Sequence, residues 1–227
     1  FFKTFYFDDG SANQSFYYHD QSRELHIFNE KEGERILGKL NESHADSVPA
    51  DVRELHIHGS GEIKNIFNDL PNLRRINIYE PVVNIDNSFN NCPKLEEVNI
   101  EYWIRSVKNS FNSCDTLERV SIGGNTKVFE NSFNDCRKLA YICFSGKLMS
   151  GDALFGYSHG YYKDSFNNLN QNGVAWFGNQ SFSELKENQI QNSFENTEIC
   201  YSTILETTIT NFKVTNGKTG VNLTWDN

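Results

Sequence analysis

The chain has 227 residues, 30 acidic and 21 basic, for a net charge of −9. That balance argues against nucleic acid as the main partner, because phosphate binding needs a basic face. Apolar residues make up 37% and aromatics 14%, with 18 Phe, 29 Asn and only 4 Pro; this is too aromatic for a disordered chain and fits a fold with much surface per residue. No run of about 18 apolar residues occurs, so no membrane insertion by a spanning helix is expected.

The chain starts Phe1-Phe2, without a methionine or a signal-peptide pattern, and reads as an artificially trimmed chain or a mature fragment. Phe5-Tyr6-Phe7, an Asp9-Gly10 turn and Ser15-Phe16-Tyr17-Tyr18 predict a hairpin. The stretch from Glu30 to Leu40 is charged and helix-permissive, and a loop then runs to Pro49. Residues 1–50 are therefore expected to form an N-terminal cap. The pentapeptide Arg23-Glu24-Leu25-His26-Ile27 returns at Arg53 to Ile57, where it reads as a strand one residue out of phase with the downstream units.

From there a period of 22 residues governs the chain. Asn87-Ser88-Phe89-Asn90 recurs as Asn109-Ser110-Phe111-Asn112 and as Asn131-Ser132-Phe133-Asn134, with Ile66-Phe67-Asn68 as a weaker copy upstream. Self-similarity at such a period signals a solenoid. One unit places apolar residues at Leu73, Ile76, Ile78, Val82, Ile85, Phe89 and Cys92. The next repeats them at Leu95, Val98, Ile100, Ile104, Val107, Phe111 and Cys114. The two-residue step from Ile76 to Ile78 is a strand step; the later steps of three and four fit a turn or one helical turn, with the serine as a cap. Each unit is thus expected to give one short strand, a return segment and a turn that plugs a Phe into the core. A unit cannot bury its own apolar face, and stacking does that.

Five cysteines cannot all pair internally, and the periodic three read as small buried core residues. No C-x-x-C occurs and no His lies within four residues of a Cys, so neither zinc nor any other metal or cofactor is expected. Beyond residue 144 the repeat becomes irregular. Asp164-Ser165-Phe166-Asn167 comes 33 residues after the previous Phe, and Asn192-Ser193-Phe194 comes 28 later.

The unit L-x-x-V-x-I … V-x-N-S-F-N-x-C resembles the BspA-like leucine-rich repeat of bacterial and some protozoan surface proteins. The resemblance covers residues 51–144 closely and runs loosely to 205. Its departures are a unit about one residue short, Ser in place of the usual small alanine before Phe, and no Asn closing the strand motif. It implies a leucine-rich repeat solenoid: a parallel sheet on the concave face, short helical turns on the convex face, and an N-terminal capping hairpin. It also implies a secreted or cell-surface bacterial adhesion module that binds a protein or polysaccharide. Ile209-x-x-Phe212-x-Val214 and Val221-x-Leu223-x-Trp225 resemble the first strands of a fibronectin type III-like domain. Residues 206–227 are accordingly a linker and the truncated start of such a domain, or a terminal cap.

Side chains between the core slots point outward on the strand. The columns expected are Glu54, Arg75, Glu97, Arg119, Tyr141; His56, Asn77, Asn99, Ser121, Cys143; and His58, Tyr79, Glu101, Gly123, Ser145. The ligand-binding set expected there is Arg75, Tyr79, Glu101, Arg119 and Tyr141, flanked by Tyr102 and Trp103. Tyr157, Tyr161 and Tyr162 of a Gly/Tyr-rich insertion are added at its C-terminal end, an insertion that reads equally as a lid packed on the irregular rungs. The bland alternative is charge pairing that only stabilises the sheet. His56 and His58 have a spacing that can chelate a metal, but no third ligand stands out in sequence, so a surface pair is expected. No hydrolase, P-loop, dinucleotide or zinc-protease motif occurs, and no catalytic residue is predicted. The rival readings are a parallel β-helix that cleaves polysaccharides, with three strands per coil, and a purely structural spacer.

Overall fold

The structure, a computed structural model, describes residues 2–5, 13–31, 34–35, 39–59, 61–123, 126–145, 161–163, 165–166, 174–178, 198–202, 212–217 and 220–225. The expected strand forms in every regular unit: Arg75–Ile78, Glu97–Ile100, Arg119–Ile122 and Tyr141–Phe144. Each buries its second and fourth residues, as the two-residue apolar step requires. These strands pair in parallel with no slip, so each column of side chains lines up one residue per coil. The sheet continues through Glu54–His58 to Glu24–Lys31, and then to the antiparallel strands Asn13–His19 and Phe2–Phe5. The repeated pentapeptide therefore stacks on itself, with Leu25 beside Leu55, His26 beside His56 and Ile27 beside Ile57. The hairpin expected at the N-terminus is present in its strands, while its turn lies outside the described residues.

The solenoid forms as expected, but its return segments differ from the expected helical turns. Val82–Asp86, Ile104–Lys108 and Thr126–Glu130 are strands of a second parallel sheet. Lys39–Leu40 and Glu62–Lys64 extend that sheet at one end and Tyr161–Lys163 at the other. Among the described residues the one helix is the 3-10 segment Glu42–Ser47. Within the charged stretch from Glu30 to Leu40, the described residues 34–35 and 39–40 form short strands. Each coil thus carries two strands, one more than expected and one fewer than a three-stranded β-helix.

The Asn-Ser-Phe-Asn segment makes the sharp bend after the second strand. Three residues per bend take a left-handed backbone: Asn87 (φ 45°), Phe89 (φ 62°) and Asn91 (φ 56°), then Asn109, Phe111 and Ser113, then Asn131, Phe133 and Asp135. Asparagine tolerates that region better than most residues, which suits it to the positions of Asn87, Asn91, Asn109 and Asn131. The bend is held by ladders between coils. Each buried serine accepts a hydrogen bond from the backbone N–H one coil before it, Ser110 Oγ from Ser88 N at 3.1 Å and Ser132 Oγ from Ser110 N at 3.2 Å. The same hydroxyls donate to carbonyls two residues back, at 2.6 Å for Ser110 to Lys108. Alanine could do neither, which is the physical reason for serine at this slot. Asn90 and Asn112 accept from the next coil's backbone N–H at 2.9 Å each and donate to a backbone carbonyl at 2.8 Å.

The core lies between the sheets. Phe67, Phe89, Phe111, Phe133 and Phe166 stack in one row with ring centroids 5.1, 4.9, 4.6 and 5.0 Å apart. Phe166 joins despite its 33-residue spacing, and Ser165 continues the serine ladder at 3.0 Å. Cys92, Cys114 and Cys136 are free, buried thiols. Each donates to the carbonyl of a Phe in the preceding coil, at 3.5, 3.3 and 3.1 Å. Hydrogen bonding to the next thiol, and after that burial, pushes the Cys92 pKa far up, and Cys114 is also raised, first by its contact with Cys136. Asn192 to Phe194 lie outside the described residues. Phe212–Gly217 and Gly220–Trp225 pair antiparallel as a two-stranded sheet.

Candidate functional site

The solvent side of the long sheet carries the columns expected from the sequence. Glu54, Arg75, Glu97, Arg119 and Tyr141 are consecutive cross-strand neighbours. Arg75 bridges two carboxylates, Glu54 at 2.7 Å and Glu97 at 3.8 Å. Arg119 is set between Glu97 and Tyr141 by register and is exposed. Tyr141 is 46% exposed; burial of the rest of its ring, then the neighbouring Cys143, raises its pKa. Burial also pushes the Cys143 thiol up, so it is a poor nucleophile.

Tyr102 and Trp103 are exposed in the bend after Glu97–Ile100, as expected for flanking rings. Glu101 is exposed one position before them, and its carbonyl faces Gly123, where an added Cβ would come within 2.4 Å. Glycine there lets adjacent coils approach. Tyr161 and Tyr162 do not join this group: their backbone lies in the second sheet, paired with Val128 and Phe129. The C-terminal end of the insertion is thus a rung of the opposite wall. Tyr157 lies outside the described residues.

Tyr79 belongs to an aromatic ladder that the sequence does not announce. Its hydroxyl is 2.9 Å from His56 Nδ1, and its ring stacks on His58 at 4.7 Å. His58 stacks on Phe28 at 4.4 Å, and His56 on His26 at 4.4 Å. His26 and Phe28 fall in the stretch expected to be a cap; the duplicated Arg-Glu-Leu-His-Ile segment is the signal that they share the sheet. Burial is the main cause that lowers the pKa of His26 and His56, opposed by Glu24 and Glu54. Among the described residues no group of three or more His, Cys, Asp or Glu is arranged to hold a metal ion.

The second sheet carries a feature that the sequence did not indicate, an open groove of about 330 Å³ lined by Glu62, Lys64, Asn84, Asp86, Arg105, Ser106 and Lys108 among others. Its charges alternate, and Lys108 pairs with Glu130 at 3.1 Å.

The described residues form a strand-rich parallel solenoid with one short 3-10 helix among them, consistent with the leucine-rich repeat solenoid as fold class. Residues 63–161 match the family model for the BspA type leucine rich repeat region, in six copies. That match gives no fibronectin type III-like segment at the C-terminus. No curated protein and no solved structure matches the chain.

Proposed function

We propose that the protein is a non-catalytic binding module, displayed on a bacterial surface or secreted, that recognises a ligand on the solvent face of the long sheet. The carrying observation is the in-register face itself. Seven consecutive strands from Asn13–His19 to Tyr141–Phe144 put one wall of core residues inward and set alternate residues on the solvent side. Arg75, Tyr79, Arg119, Tyr141, Tyr102 and Trp103 supply the Arg, Tyr and Trp that anchor interfaces, and Glu101 adds a carboxylate. A protein ligand suits this face better than a polysaccharide. Sugar binding by aromatics uses a free ring face, whereas the rings from His26 to Tyr79 lie within 5–19° of parallel and cover one another's faces. Surface display rests on what BspA-type repeats imply.

The test is a comparison of two folded variants with wild type on a glycan array and on a panel of displayed host proteins. Changing Tyr79, Trp103 and Arg119 to Ala should abolish wild-type hits. Changing Lys108 and Glu130, on the second sheet, should leave them. Hits that survive the first variant and vanish in the second would move the site to the groove.

A further inference from the structure

We propose that the stacked imidazoles of His26, His56 and His58 make the junction between the N-terminal strands and the repeat solenoid acid-sensitive: protonation loosens Glu24–Lys31 from Glu54–His58. Four of the chain's six histidines, at 19, 26, 56 and 58, gather at this junction. His26 lies 4.4 Å from His56 and 5.5 Å from His58, centroid to centroid, and the rings are within 15° of parallel. Its Nδ1 is 3.2 Å from His58 Nε2. That contact holds when one nitrogen donates and the other accepts. With both rings charged it becomes two N–H donors head to head, and a charged His56 adds a third cation above His26.

The carboxylates beside His26 and His56 do not cancel this. Glu24 faces His26 at 3.9 Å and Glu54 faces His56 at 3.8 Å, both beyond hydrogen-bond length, and Glu54 is already bonded to Arg75 at 2.7 Å. His56 Nε2 is buried with no hydrogen-bond partner among the described residues. From the antiparallel strand, His19 stands edge-on to His26 and Tyr17 edge-on to His19. From the other side come Tyr79 and, beyond it, Glu101. Burial wins over the carboxylates, so His26 and His56 bind protons less readily folded than unfolded. Stability from this source is therefore complete above the ordinary imidazole pKa of about 6.5 and falls as the pH drops through it. The loss is local. Leu25 and Ile27 pack into the shared core, and a separate clasp joins Asp51 to Tyr18 and Arg23.

The experiment is hydrogen–deuterium exchange of the whole chain at pH 7.5, 6.5 and 5.5, corrected for intrinsic rates. Peptides covering 13–31 should open about tenfold more at pH 5.5 than at 7.5, while 97–122 stay level. The double variant His26→Phe, His58→Phe keeps stacked rings, leaves His56 as the one titratable ring of the three, and should strongly diminish that response. Equal behaviour of both regions, no change in 13–31 between pH 7.5 and 5.5, or an undiminished response in a folded double variant would overturn the proposal. Should the double variant not fold, the wild-type contrast between the two regions decides alone.

Discussion

Phe111 combines two opposing properties. Its backbone sits at φ 59°, where a bulky residue is strained, and its ring is fully buried between Phe89 and Phe133. The strain is held by the bend's ladders, with Phe111 N donating to Ser88 O at 3.1 Å and the neighbouring Ser110 and Asn112 bonded into adjacent coils. Phe111→Ala should cost about 3–5 kcal/mol, because a middle ring leaves a cavity with neighbours on both sides. Urea denaturation measures this, and a loss below about 1 kcal/mol would show that the stack is not what stabilises the bend. The Phe, Leu and Cys slots were legible in the sequence because burial leaves an apolar residue at a fixed spacing. The left-handed conformation of Phe111 was not, since nothing in phenylalanine's chemistry favours it; only the closed coil forces it.

At the level of the element, each strand contributes one charged row and one polar row to the open face. The row Glu54, Arg75, Glu97 and Arg119 is readable from sequence, because a 22-residue period plus parallel register puts equivalent positions side by side. Its energetic weight is small. The Arg75 side chain is 50% exposed, and exposed pairs contribute about 0–1 kcal/mol. Arg75→Ala should therefore lower stability by under about 1 kcal/mol, with the difference shrinking in 1 M salt as screening removes it. A thermal melt in both salts checks this, and a large salt-independent loss would mean that Arg75 packs as well as pairs. The helical return is where sequence and structure part at this scale. Apolar steps of three and four, from Val82 to Ile85 to Phe89, match a helix as readily as a strand and a bend. Backbone pairing with the neighbouring coils, from Val82 beside Ile104 to Asp86 beside Lys108, decides for the strand.

For the whole molecule, stability is shared between neighbouring coils and not built around one centre. Removing residues 97–118, one complete period, should leave a shorter folded solenoid that joins Arg119–Ile122 to Arg75–Ile78. Its circular dichroism should keep the wild-type shape and its melt should remain cooperative at a lower temperature. Removing residues 97–107, half a period, should abolish folding, because first-sheet residues would then face second-sheet positions and Phe111 would leave the stack. Equal tolerance of both deletions would refute nearest-neighbour stacking.

The sequence by itself determined the solenoid, its period, its buried slots and the outward columns, because burial and strand pleat write a spacing that any chain stacked in register must obey. Tertiary structure alone decided three further things. It joined His26 and Phe28 to His56, His58 and Tyr79 across 30 residues of chain, as only parallel pairing of Glu24–Lys31 with Glu54–His58 can do. It placed Tyr161 and Tyr162 on the second sheet, away from the face their composition resembled. And it turned the serine before each Phe from an expected helix cap into a ladder rung, because the N–H it accepts from belongs to another coil 22 residues away. Local chemistry specifies what a side chain can bond; only the stacking of coils specifies which partner is within reach.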